Sequence, residues 1–222
     1  MKQSEIFNKV VEDISSIPFF VDYKYRKRDY RFSKKTSLGT NWFELQHWLS
    51  YDEGLALKIY PVVGVRINIL MKWFEKFSFK KLQDQRDNCT FGFWGGFFGV
   101  QNEFYFRLDG SNYDSEFSSL VNTIKTCMQS VERDYSTLED AFKNEIIPVI
   151  RGEKKLRNTG ADWIFEYLTL CKLIAPEMYD EFKALMLEHV KWMYGRKEPN
   201  VERYYDRLDE ILAYMETPGN IK

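Results

Sequence analysis

The chain has few of the residues from which compact reactive sites are usually recognised. Its three cysteines, Cys89, Cys127 and Cys171, are odd in number and widely spaced, with no C-x-x-C among them. That argues against a disulfide framework or a zinc ribbon. The two histidines, His47 and His189, belong to no H-E-x-x-H pattern, so no metal and no cofactor are expected. There is no G-x-S-x-G, and no cysteine lies in a recognisable protease or phosphatase context. No apolar run approaches the roughly 20 residues of a membrane span. The N-terminal MKQSEIFNKVVEDI carries Glu5, Lys9 and Glu12, so it lacks the uninterrupted apolar core of a signal peptide. A cytoplasmic chain without membrane contact is expected. Net charge is also nearly absent, at −1, which gives no global pull toward nucleic acid or anionic lipid.

What is present is length, aromatic character and an uneven distribution of charge. A chain of 222 residues buries about 70% of its unfolded surface and needs no staple to be stable. Aromatics make up 17% of it. Residues 1–110 hold 17 Lys/Arg against 13 Asp/Glu, whereas residues 111–222 hold 15 against 20.

The texture changes in the same sense. Residues 4–15, opened by Ser4 as an N-cap, place Ile6, Phe7, Val10, Val11 and Ile14 on one helical stripe, and Pro18 ends it. From 19 to 108 the pattern is extended. NWFELQHWLSY (41–51) alternates Phe43, Leu45, His47 and Leu49 against Trp42, Glu44, Gln46 and Trp48. Asp52-Glu53-Gly54 supplies a turn, and Pro61 implies a break, bulge or edge in the next strand. A helix is expected over 70–83. After Gly110 the chain is helical: 114–133, a helix opened by a Ser136/Glu139 capping box and stopped or kinked at Pro148, then 161–174, 177–194 and 199–216, with a loop at 152–160. Strands followed by helices indicate an α+β fold. The expected architecture is a mostly antiparallel sheet of five or six strands with an N-terminal helix (residues 1–150), then an α-helical lobe (151–222).

Four stretches invite functional readings. In CTFGFWGGFFGV (89–100) the glycines fall at 92, 95, 96 and 99, with no G-x-G, no following Lys-Ser/Thr and no helix after Gly99. A phosphate cradle needs those features. The expectation is a strand interrupted at Gly95-Gly96, which re-aims Trp94 or Phe97. KYRKRDYRFSKK (24–35) holds seven basic residues and one acidic. Arg26, Arg28 and Arg31 interleaved with Tyr25, Tyr30 and Phe32 read either as a single-stranded nucleic-acid site or as an edge hairpin protected by its charges. Trp42 and Trp48 share one face of a strand. If that face is open it looks like a protein-binding surface, and if helices cover it both are core. Lastly, His47 with Trp94 and the Asp84–Asp87 loop could form an unpatterned acid/base site.

IPFFVDYKYRKRDYRFSKK (17–35) followed by NWFELQHWLS (41–50) resembles the bacterial "domain of unknown function 4304" family. That family opens its hairpin with a glycine-phenylalanine pair, a lysine-rich turn and an aromatic-x-Arg end. Here Phe19-Phe20, the basic turn and Tyr30-Arg31 are present and the glycine is not. The resemblance covers about the first 150 residues. It implies an α+β domain without an assigned activity and transfers no functional residue. The leading expectation is a non-enzymatic protein-interaction module, a monomer or weak homodimer, whose partner is another protein, such as a toxin held by an immunity-type inhibitor. RNA or single-stranded DNA binding through 24–35, and an enzyme with an unpatterned site, are the alternatives.

Overall fold

A computed structural model describes residues 2–51, 54–156 and 161–221. The expected Asp52-Glu53 turn and the end of the 152–160 loop lie outside the described residues. Helix α1 (Gln3–Ser15) buries the five apolar residues of the expected stripe. It starts one residue before Ser4, and the Glu5 carboxylate reaches back to accept from the Lys2 N–H at 2.7 Å. A 3-10 turn, Pro18–Phe20, follows.

Six strands form one sheet: β1 (Lys24–Arg26), β2 (Arg31–Lys35), β3 (Gly39–Ser50), β4 (Ala56–Ile67), β5 (Phe91–Trp94) and β6 (Phe104–Arg107). The order is β1-β2-β3-β4-β5, with β6 also on β4. The pairs β1–β2, β2–β3, β4–β5 and β4–β6 are antiparallel. The α+β class and the antiparallel six-stranded sheet with an N-terminal helix and C-terminal helices are therefore as expected. Phe32, Phe43, Leu45, Ile59, Phe91, Phe104 and Phe106 are buried along the inner face. Full burial of one such side chain contributes about 1.5–3 kcal/mol. Phe7 of α1 stacks on His47 at 3.8 Å, and Tyr113 of α4 (Tyr113–Asp134) packs on Phe106 at 5.6 Å, so the two helices cover this inner face.

β4 runs unbroken through Pro61. The break expected there falls in its partner instead. β6 pairs with β4 as far as Ile59↔Phe104, and β5 resumes at Val62↔Trp94. Three steps along β4 thus face ten along the partner, and the surplus forms an outward excursion. It begins with a 3-10 turn, Gly95–Phe98, so Gly95-Gly96 does interrupt the strand. A Cβ on Gly95 would lie 2.5 Å from the Gln101 carbonyl oxygen, which explains the need for glycine there. The outer edge of β6 is closed by side chains. Asn112 accepts from the Arg107 N–H at 2.9 Å and donates to the Tyr105 carbonyl at 2.7 Å, and Glu116 accepts from the Tyr105 N–H at 3.1 Å.

The chain divides into two compact units, 1–65 with 91–133, and 66–90 with 134–222. The division differs from a cut near 150, because 66–90 and 134–150 belong with the second unit. That unit holds α2 (Asn68–Met71), a 3-10 turn (Lys72–Lys76), α3 (Leu82–Asp87), α5 (Leu138–Ile150), α6 (Asp162–Ile174), α7 (Tyr179–Gly195), α8 (Val201–Tyr205) and α9 (Leu208–Glu216). The helix expected over 70–83 is thus three short pieces, α2, the 3-10 turn and the start of α3, and the Asp84–Asp87 stretch is helical, not a loop. The helix expected over 199–216 is broken at Asp206-Arg207. Thr137, not Ser136, caps α5, accepting from the Asp140 N–H at 3.0 Å, and α5 continues past Pro148 to Ile150. Inside this unit the Trp73 indole donates to Thr169 Oγ1 at 3.0 Å, and Phe74 stacks on Phe165 at 4.9 Å. Glu145 is fully buried and accepts from the hydroxyls of Tyr135 and Tyr167, with Lys154 Nζ at 2.5 Å.

Candidate functional site

Side chains alternate along a strand, so the residues of β3 that do not point inward define an outer face. Trp42, Glu44, Gln46 and Trp48 lie there. Register extends the face across the sheet. Ser33 pairs with Trp42 and with Lys24, and Arg31 pairs with Glu44 and with Arg26. On the other side, Trp42 lies against Gly64, and Lys58 sits beside the Trp48 ring, so the even-numbered residues of β4 share the face. Lys58 pairs with Tyr105 and Val62 with Trp94. The outer face thus carries Trp42, Trp48, Tyr60, Trp94 and Tyr105.

The two tryptophans of β3 have different fates. Trp42 is 5% exposed. The Arg31 guanidinium lies 4.1 Å above its ring, and Gly64 leaves the space that the ring fills. Its indole Nε1 has no hydrogen-bond partner among the described residues. Trp48 is 44% exposed and Trp94 is 50% exposed in the intact chain. The face is therefore sealed at Trp42 and open at Trp48 and Trp94. Trp94 stands at the root of the excursion, with its indole over Gly96. Phe97, 52% exposed, is propped by buried Phe93 at 4.8 Å.

Between Trp48 and Tyr105 lies Lys58. Its ammonium is 5.2 Å from the first ring centroid, 5.1 Å from the second, and 2.8 Å from Glu103 Oε1. Tyr105 Oη donates to the other Glu103 oxygen at 2.8 Å. Glu103 holds the lysine pKa above its ordinary value, and Lys58 holds that of Glu103 below its own. Lys58 is 9% exposed as a whole residue, its stem covered on an otherwise open face.

The other expected site residues are not brought together as a nucleic-acid or catalytic centre. In the 24–35 hairpin the aromatics turn away from the outer face. Tyr25 packs on Phe32 at 4.8 Å, and Phe32 stacks on Phe43 at 4.6 Å. Tyr30, left-handed at φ 52°, packs on Phe7 at 5.1 Å and on His47 at 4.5 Å. Arg26 Nε donates to Asp29 at 2.8 Å, and Arg31 donates to Glu44 at 2.8 Å. Arg28 lies exposed in the 3-10 turn Lys27–Asp29. The hairpin thus offers charge without its own stacking rings. His47 is on the inner face and Trp94 on the outer, so the two cannot share one acid/base site. The His47 Nδ1 lies 3.2 Å from the Leu45 carbonyl, and burial lowers its pKa. Asp84 and Asp87 belong to α3, in the other unit. Burial pushes the thiols of Cys127 and Cys171 up to about 11, which keeps them protonated and poor nucleophiles.

Sequence reasoning missed Tyr60, Tyr105, Lys58 and Glu103. Alternation across β4 and β6 could have grouped the first three, but the excursion makes the register of β6 unreadable from spacing. A cavity of about 580 Å³ lies at the C-terminal end of α7, lined by Tyr194, Lys197, Asn200 and Arg203 among others. All its lining residues but Glu198 are exposed, so it is a surface groove without the desolvated polar groups of a ligand site. Among the described residues no cluster of three His, Cys, Asp or Glu could hold a metal ion, and no helix is long and apolar enough to cross a membrane. Comparison of the chain with protein-family models, with curated proteins and with solved structures finds no match in any of the three.

Proposed function

We propose that the chain is a protein-interaction module that docks through the outer sheet face of its first unit. The observation that carries this reading is the joint exposure of Trp48 and Trp94 on one face in the intact chain. Tryptophan, tyrosine and arginine are the residues on which binding energy concentrates at protein interfaces. Here they stand on strands, whose backbone order lowers the entropy lost on docking. Asn112 and Glu116 close the edge of β6 to addition of a strand there. Nucleic acid is the weaker reading, because Tyr25 and Tyr30 of the basic hairpin, which would stack on bases, pack instead on Phe32, Phe7 and His47.

The test is affinity capture with the intact chain as bait, followed by binding measurements on the captured protein. Trp48→Ala and Trp94→Ala are each expected to weaken binding by about tenfold or more, with the urea midpoint unchanged. Trp192→Ala removes a comparably exposed tryptophan from α7 and should leave affinity intact. Equal effects of all three substitutions would reject the outer face as the docking surface.

A further inference from the structure

We infer that the partner presents an acidic, carboxylate-bearing protein surface, and that Lys58 is the group that receives it. This rests on the docking face proposed above and names the chemistry of what docks there.

The strands place Lys24, Arg26, Arg31, Lys35, Lys58, Arg66 and Arg107 on the outer face against, among the described residues, the carboxylate of Glu44. Asp29 and Glu103, at its margins, bring the described carboxylates to three against seven cations. The whole chain has a net charge of −1. Positive charge is therefore concentrated on this face and is not a property of the molecule at large. A surface of that sign speeds encounter with acidic partners and penalises basic ones.

Lys58 is also set apart by its place, with its ammonium near the rings of both Trp48 and Tyr105. Its counter-ion is asymmetric to it: the Glu103 side chain is 44% exposed, whereas that of Lys58 is 11% exposed. Glu103 sits on the excursion between β5 and β6, whereas Lys58 stands on β4 near its two rings. An incoming carboxylate that takes the place of Glu103 gains a pre-oriented cation flanked by Trp48 and Tyr105. Glu103 is thus an internal stand-in for the partner's acid.

The experiment uses the full chain and three dye-labelled probes at low salt: a random glutamate–tyrosine copolymer, a lysine–tyrosine copolymer and an oligothymidylate. Fluorescence anisotropy should show the acidic copolymer bound most tightly. Lys58→Gln should weaken it about tenfold or more. Glu103→Gln, which removes the competing acid at an exposed position, should tighten it several-fold. Opposite signs for the two substitutions are the signature of displacement. Near-UV circular dichroism checks the fold of the Lys58 variant, and the exposed Glu103 variant keeps the test decisive if that one unfolds. Preference for the basic copolymer, effects within twofold for both substitutions, or no polypeptide binding would overturn the inference. Tighter binding of the oligothymidylate would overturn it in favour of nucleic acid. A captured partner that is basic but still needs Trp48 and Trp94 would overturn this inference alone. Loss of any dependence on those tryptophans would take the docking face with it.

Discussion

A single missing carbon governs the sealed end of the outer face. A Cβ on Gly64 would meet Cζ2 and Cε2 of Trp42 well inside van der Waals contact. Gly64→Ala is therefore expected to cost about 1–3 kcal/mol. The same change in a Trp42→Phe background should cost much less, because the smaller ring leaves room. A double-mutant cycle by urea unfolding measures the difference, and additivity of the two changes would show that the contact is relieved elsewhere. His47 supplies a second prediction at this scale. Burial lowers its pKa in the folded state, so the unfolded chain takes up the proton first as pH falls. Stability from this group is complete above about pH 6.5 and is lost as pH falls through the lower folded value. His47→Phe, which keeps a ring against Phe7, should flatten the fall in urea midpoint between about pH 7.5 and pH 5.5. An unchanged slope in the variant would place the titration elsewhere.

At the scale of elements, strand edges decide what the sheet can join. Asn112 supplies both a donor and an acceptor to the outer backbone of β6. Asn112→Ala should cost about 1–3 kcal/mol, through backbone groups left without partners. It should also promote self-association by exposing an edge, which sedimentation velocity would detect. A variant that is less stable but stays unassociated would show that Glu116 alone closes the edge. Much of the element layout is legible in sequence for a clear reason. The alternation of Phe43, Leu45, His47 and Leu49 with Trp42, Glu44, Gln46 and Trp48 is a local pattern, and β3 obeys it. Local signals fail where tertiary contacts choose between near-equals. Ser136 and Thr137 are both capping residues, and the reach to the Asp140 N–H selects the second. Tyr25 and Tyr30 read as partners of the arginines beside them, yet Phe32, Phe7 and His47 claim their rings. That Trp48 and Trp94 share a face follows only from the register of strands more than 40 residues apart.

For the whole molecule, the chain crosses between its two units after residues 65, 90 and 133, so neither unit is one continuous stretch. The sequence predicts a first domain over 1–150 with a helical lobe packed on it, and across that division Trp73 and Phe74 find Thr169 and Phe165 in α6. A fragment of residues 1–150 is expected to expose those rings, bind an apolar dye and precipitate more readily than the full chain. A monomeric fragment with a cooperative unfolding transition would refute this.

The excursion between β5 and β6 has a consequence for how such a surface can diversify. Pairing with β4 stops at Phe104 and resumes at Trp94, with all the surplus length looped outward. Beyond the turn that needs Gly95, the excursion can therefore change in length and sequence while both flanking strand segments keep their places. The sheet acts as a fixed mount, and the loop carrying Phe97 and Glu103 is an exchangeable fitting. Relatives that differ mainly there would share an architecture and differ in what they hold, much as one tool handle accepts many heads.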